Sequence, residues 1–213
     1  RWKIITTEDP VEYDLDGIVQ CQVNEDIGVT YASLLRSILR QDPDTILVGE
    51  VRDLETAQIA IEAALTGHLV FSTLHTNDAI SAITRLINLG IEPYLVSATV
   101  RGVLAQRLVR KVCPHCKCKW EGDASVREAC GGGEFWMGAG CHRCRNTGYA
   151  GRIGIFELLV PTGEMLEAIS QGASLQELRQ TLSGTEFNTL RCDGIEKAKL
   201  GLTTPEEVLC MTR

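Results

Sequence analysis

Three short apolar runs each end on a residue that can do chemistry. Ile4-Ile5-Thr6-Thr7 runs into Glu8-Asp9, Ile46-Leu47-Val48-Gly49 runs into Glu50, and the run from His68 to Leu74 ends at His75. If the runs are neighbouring strands, two carboxylates and an imidazole reach one rim, which is the equipment phosphoryl chemistry requires. One carboxylate can hold Mg²⁺, directly or through water, and a second can orient and deprotonate an attacking water. An imidazole can sense the terminal phosphate. Each piece alone is weak, because an acid after a strand is usually just solvated and a lone His usually makes surface or core hydrogen bonds. The combination carries the inference.

A second group is the cysteines. Cys113-Pro114-His115-Cys116 and Cys141-His142-Arg143-Cys144 form two C-x-x-C pairs with 24 residues between them, 117–140. Two residues within each pair let both thiolates face one tetrahedral ion. Four thiolates would close a structural zinc site with no open position for water. Cys118, His115 and His142 are substitute ligands, a redox dithiol is the competing reading, and an iron–sulfur centre suits the paired spacing less well. Cys21, Cys130, Cys192 and Cys210 are scattered and read as ordinary thiols.

The elements that must position these groups follow from periodicity. Strands are expected near residues 3–7, 18–23, 45–49, 68–74 and 152–159. Thr30 caps a helix over about 31–41 that Pro43 stops. Asp53 caps another, with Ala57, Ala60, Ile61, Ala64 and Leu65 on one stripe and Gly67 closing it. Asn77 or Asp78 opens a third. Strand–helix alternation implies a mostly parallel sheet covered on both faces, with the chemistry at its carboxyl edge. After residue 111 the periodicity gives way to Cys, Gly and charge, and Gly131-Gly132-Gly133 reads as a flexible loop. The organisation is therefore a core over 1–111, a tetracysteine module over 112–150, and a strand plus short helices over 151–213.

Composition bounds the rest. The 213 residues are 44% hydrophobic, with 21 Lys and Arg against 28 Asp and Glu, a net charge of −7. That suits a globular core and argues against bulk nucleic-acid binding, although Arg107, Arg110, Lys111, Lys117 and Lys119 cluster around the first cysteine pair. No apolar run is long enough to span a bilayer, and no signal peptide is visible. The chain starts without Met and reads as a piece of a longer protein.

Longer motifs then match a known family. Thr7-Glu8-Asp9-Pro10-Val11-Glu12-Tyr13 resembles the aspartate box of the type II secretion and type IV pilus assembly ATPases. Ile46-Leu47-Val48-Gly49-Glu50-Val51-Arg52-Asp53 resembles their Walker B strand, and the segment Thr66 to Asp78 their histidine box. Leu35-Arg36-Ser37-Ile38-Leu39-Arg40-Gln41-Asp42-Pro43-Asp44 is similar to the stretch before Walker B, and Gly148 to Glu157 matches near the end. The cysteine pairs resemble the secretion and pilus-extension branch rather than the retraction branch.

The resemblance implies a RecA-like α/β fold with a mostly parallel sheet and flanking helices. It implies a hexamer that couples ATP hydrolysis to an inner-membrane platform and its cytoplasmic-linker proteins, lying in the cytoplasm as a peripheral partner of the inner membrane. By position, Glu8 would be the general base and Glu50 the Mg²⁺-shell acid, with the two roles exchangeable. Asp9 and Glu12 would support the site electrostatically, and Arg52 and Asp53 would orient the Walker B acid. His75 would approach the γ-phosphate. Arg36 and Arg40 are charge sensors or a solvated helix face, and Arg152 falls near the nucleotide base. ATP, Mg²⁺ and Zn²⁺ are the implied cofactors, with Cys113, Cys116, Cys141 and Cys144 as the zinc ligands.

The sequence departs from the family in one large respect: no G-x-x-x-x-G-K-[S/T] loop occurs in it. That loop supplies most phosphate affinity, so this chain alone is expected to bind and hydrolyse ATP poorly, and the sheet is expected to show an exposed apolar edge. Thr7 also stands where relatives usually carry an aliphatic residue. Two other functions remain: a non-catalytic, zinc-stapled docking module for a platform protein, and a nucleic-acid motor of the wider RecA-like group.

Overall fold

The structure, a computed structural model, describes residues 2–212. Its elements in chain order are β1 (Ile4–Glu8), β2 (Val19–Gln22), α1 (Tyr31–Ile38), β3 (Thr45–Val48), α2 (Leu54–Leu65), β4 (Leu69–Ser72), α3 (Ala79–Asn88) and α4 (Pro93–Thr99). There follow β5 (Val103–Val112), β6 (Lys117–Lys119), α5 (Ala124–Ala129), β7 (Trp136–Gly138), β8 (Tyr149–Leu159), α6 (Gly163–Ser170), α7 (Leu175–Gln180), α8 (Leu190–Lys199) and α9 (Pro205–Met211). The chain divides into two units: Arg1–Arg101 with Val160–Ser183, and Gly102–Leu159 with Gly184–Arg213.

In the first unit, β-branched apolar runs form a four-stranded sheet of order β2-β1-β3-β4. All three pairings are parallel, with Ile5 opposite both Val19 and Ile46, and Val48 opposite Ser72. The central strands are buried: Ile5, Ile46 and Val48 expose 3% or less. The expected cover on both faces is incomplete at the edge strand β4, where Leu69 and Phe71 are 45% and 53% exposed. An edge strand has a neighbour on one side only, so its side chains find fewer partners.

The helices start where short polar side chains satisfy free backbone N–H groups. Thr30 and Ser33 form a reciprocal capping box at α1. Asp53 accepts from Thr56 N at 2.8 Å at α2, and Asp78 from Ser81 N at 2.7 Å at α3. The helix expected over about 31–41 tightens into a 3-10 turn at Leu39–Gln41 and stops at Asp42, in the left-handed region with φ 50° just before Pro43. Elements beyond those expected are α4, β5 and, within the cysteine-rich module, β6, α5 and β7. α4 buries only Val96 and so carries no stripe, and Pro93 at its first turn is its one sequence signal. β5 was read as the end of the core.

The second unit is built on an antiparallel ribbon of β5 and β8, in which Val103 faces Leu159 and Arg110 faces Arg152. One face buries Val109 and Ile155 against Leu190 of α8. The antiparallel β6–β7 pair and α5, α8 and α9 enclose a small core of Trp120, Cys130, Phe135, Ala198 and Val208. Trp120 meets Phe135 edge-on at 5.9 Å. No helix among the described residues is long and apolar enough to cross a membrane.

Candidate functional site

Parallel strands deliver their carboxyl ends to one edge, so the residues following β1, β3 and β4 meet there. The three loops are tied beyond the strand ends: Gly49 N donates to Thr7 O at 2.7 Å, Val51 N to Thr73 O at 3.0 Å, and Thr73 Oγ1 to Gly49 O at 2.6 Å. They frame a cleft of about 390 Å³ whose lining includes Glu8, Asp9, Glu12, Glu50, Arg52 and His75. Six of the residues singled out in the sequence therefore share one cavity. Gly49 has to be glycine, because a Cβ there would lie 2.9 Å from Thr7 O and 3.1 Å from the Tyr31 hydroxyl.

Glu50 is paired through both of its carboxylate oxygens. One carboxylate oxygen pairs with Arg52 and the other accepts from His75 Nε2 at 2.9 Å. The Arg52 hydrogen bond, aided by His75, holds the Glu50 carboxyl below the usual carboxylate range despite its burial. Glu8 is anchored differently: its Oε1 accepts from Thr6 Oγ1 at 2.5 Å and from Gln20 Nε2 at 2.9 Å. Asp53 stands outside the cleft as the α2 cap. Arg36 pairs with Glu55 at 2.5 Å and Arg40 donates to Ser37 at 3.4 Å, both outside the cleft lining. Arg152 is exposed on β8, in the other unit.

Sequence reasoning missed Tyr31, Thr73, Thr6 and Gln20. Tyr31 is 8% exposed at the first turn of α1 and lines the cleft. Burial pushes its hydroxyl up, and Glu50 and Asp9 push it further, so it stays a protonated donor at neutral pH. A lone Tyr after a cap reads like any core aromatic. Gln20 and Thr6 could have been found only from the β1–β2 register, which places them side by side. Thr7 Oγ1 is fully buried, with no hydrogen-bond partner among the described residues; the departure from an aliphatic residue leaves a hydroxyl in the core.

The four thiols form the second candidate site. Cys113, Cys116, Cys141 and Cys144 bring their Sγ atoms within 4.8 Å of one another. The closer separations are 3.9 Å for Cys113–Cys141, 3.8 Å for Cys116–Cys144 and 3.7 Å for Cys141–Cys144. Four sulfurs about 2.3 Å from a central tetrahedral ion stand about 3.8 Å apart, whereas a disulfide needs about 2.05 Å. The donor set thus fits a thiolate-bound metal and no disulfide. His115 is held off by Arg143, whose Nη1 lies 2.9 Å from His115 Nε2. Burial pushes the Cys116 thiol up to about 12. Burial also raises Cys144, but backbone N–H groups of Cys141 and Gly148 and the neighbouring thiols outweigh it and bring that thiol down to about 6. The second knuckle depends on two glycines in near contact, since a Cβ on Gly138 would lie 2.1 Å from Gly148 O.

With this geometry in view, comparisons with known proteins are specific. The family model described as "Type II/IV secretion system protein" matches residues 1–210. The Type II secretion system protein HxcR of Pseudomonas aeruginosa is 51% identical over 210 residues, 99% of this chain and 42% of the relative. The type IV pilus assembly ATPase PilB of Thermus thermophilus is 53% identical over 214 residues, 97% of this chain and 24% of the relative. The chain thus spans less than half the length of either. Among solved structures, the pilus retraction motor PilT with bound ADP superposes with a TM-score of 0.72 at 32% identity, over 99% of this chain and 52% of that one. Fold, cleft and sequence agree: the chain belongs to the type II/IV secretion system protein family.

Proposed function

We propose that this chain is the catalytic portion of a motor ATPase that powers type II secretion or type IV pilus assembly. The observation that carries it is the meeting of Glu8, Glu50 and His75 in one cleft, with Asp9, Glu12 and Arg52 around them. Glu8, the general base, takes a proton from the attacking water as the water oxygen bonds to the γ-phosphorus and the bond to the β-phosphate oxygen breaks. His75 leaves Glu50 to meet the γ-phosphate, and Arg52 keeps Glu50 ionised and aimed. Hard carboxylate oxygens suit Mg²⁺, and Glu50 would hold it, directly or through water. When bound, Mg²⁺ supplies neutralisation of charge on the phosphate oxygens. Glu8 and Glu50 can exchange these roles. Asp53 orients the Glu50 loop through its cap, and Arg36 and Arg40, outside the cleft lining, are charge sensors or a solvated helix face. The assignment is tested by turnover of the natural protein that carries this chain. Glu8→Gln and Glu50→Gln are each expected to lower kcat at least about 100-fold, and wild-type turnover in both would sink the reading.

The functional boundaries we propose are 1–111 for the nucleotide core, 112–150 for a zinc module and 151–213 for the C-terminal strand and helices. Cys113, Cys116, Cys141 and Cys144 hold Zn²⁺ as a closed structural site. The working form is a homo-hexamer in the cytoplasm, engaging the inner-membrane platform and linker proteins peripherally. The 213 residues hold no phosphate loop, so this chain by itself turns over ATP hardly at all; saturable Mg²⁺-dependent hydrolysis by it would contradict that. A second reading, a non-catalytic docking module, is favoured by the thiol cluster lying in the other unit from the cleft. A natural protein that carries a phosphate loop yet shows no turnover would select it.

A further inference from the structure

We propose that Gln20, together with Thr6, is the positioning pair that aims Glu8, and that Gln20 makes this aim depend on the loop segment 13–15. The inference rests on Glu8 acting as the base. A glutamate at a strand end has three free side-chain torsions, and a base works only when held within a fraction of an ångström of its proton. Thr6 and Gln20 are direct partners across β1 and β2, and Glu8 lies two residues beyond Thr6 on the same face. That register lets both donors reach one oxygen: Thr6 Oγ1 at 2.5 Å and Gln20 Nε2 at 2.9 Å from Glu8 Oε1. Glu8 Oε2 has no such hydrogen bond among the described residues, and Glu8 lines the cleft. One oxygen is clamped and the other is left for chemistry.

The amide of Gln20 is itself fixed. Its Oε1 accepts from Leu15 N at 2.8 Å, and Nε2 donates also to Tyr13 O at 3.0 Å. Because the Leu15 N–H can only donate, the oxygen end of the amide must face it, and the NH₂ end must face Glu8. The bland alternative is that Gln20 only staples the 13–15 segment to β2. The two differ in what they do to turnover. A staple changes stability, whereas a positioning residue changes kcat through Glu8.

The test uses the natural protein with Gln20→Leu, Thr6→Val, Thr6→Ser and Glu8→Gln. Gln20→Leu is expected to lower kcat about 10–100-fold with KM for ATP within about twofold, because the amide touches the base and not the nucleotide. Thr6→Val is expected to lower kcat about tenfold and Thr6→Ser to restore it. In the Glu8→Gln background, single-turnover rates are expected not to fall further on adding Gln20→Leu, since the residue acts through Glu8. If Gln20→Leu fails to fold by circular dichroism, the Thr6→Val and Thr6→Ser pair decides. Unchanged kcat in Gln20→Leu or Thr6→Val while Glu8→Gln loses turnover overturns the positioning proposal and leaves the base assignment standing. An equal loss in the Glu8→Gln background also overturns it. Full turnover in Glu8→Gln instead removes the base assignment, and the positioning proposal with it.

Discussion

The two units hold themselves together by different chemistry. The cleft unit has an ordinary apolar core, with Leu35, Ile46, Ile83 and Val96 each fully buried. Such a core gains stability in proportion to apolar area and leaves its loops free to carry acids. The thiol unit divides its buried apolar side chains between two small clusters, one around Val109, Ile155 and Leu190 and one around Trp120, Phe135 and Val208. It makes up the difference with specific contacts: four clustered thiols, a two-pronged Arg110–Glu207 pair, and cations over the rings of Trp136, Tyr149 and Trp120. The lesson is that the first unit should tolerate loss of any one polar contact outside its cleft, while the second should fail when its cluster fails.

The largest expected effect is therefore at the thiols. Cys113→Ser with Cys141→Ser should drop zinc from one ion per chain to none by elemental analysis. It should also abolish the near-ultraviolet signal of Trp120 and Trp136 while the helical signal of the cleft unit persists. Structural zinc contributes about 10–16 kcal/mol of apparent binding energy in small domains, enough to decide whether two small clusters hold together. Retention of a folded thiol unit without metal would break the contrast.

Next is the apolar core. Leu35→Ala deletes a fully buried side chain in α1 and should cost about 2–5 kcal/mol in denaturant unfolding of the cleft unit, leaving zinc content unchanged.

A smaller effect concerns pH. The Arg110 side chain holds the Glu207 carboxyl below its ordinary value of 4.5, outweighing burial. A carboxylate with a depressed folded pKa contributes stability that is full above its unfolded pKa and is lost as pH falls through the folded one. The thiol unit should thus weaken by about 1–2 kcal/mol below roughly pH 4.5, discounted for the exposed Arg110. Glu207→Gln should remove that part of the pH dependence in acid melts. The smallest effect is Asp53→Ala, which removes the α2 cap at a cost of about 1 kcal/mol in chemical denaturation.

Much of the cleft unit was legible from residue order. The run Ile46 to Val48 and the caps at Thr30, Asp53 and Asp78 are local signals, and their elements formed where those signals fell. Glu8, Glu50 and His75 were legible because parallel strands bring carboxyl ends together whatever lies between. Gln20 was not, since its role exists only across the β1–β2 register. β5 was not, because its partner β8 begins 37 residues after it ends, from Val112 to Tyr149, and the ribbon's apolar face is buried only once α8 covers it. The thiol cluster was legible from spacing alone, whereas Arg110–Glu207 joins residues 97 positions apart and leaves no trace in the order.

The most direct measurement of the central claim is a crystal structure of the natural protein with Mg²⁺ and a non-hydrolysable ATP analogue. The expected result is a γ-phosphate within hydrogen-bond reach of His75, a water between it and Glu8 Oε2, and Mg²⁺ on the Glu50 side of the same cleft. A triphosphate bound elsewhere, with Glu8 and Glu50 remote from it, would contradict the claim.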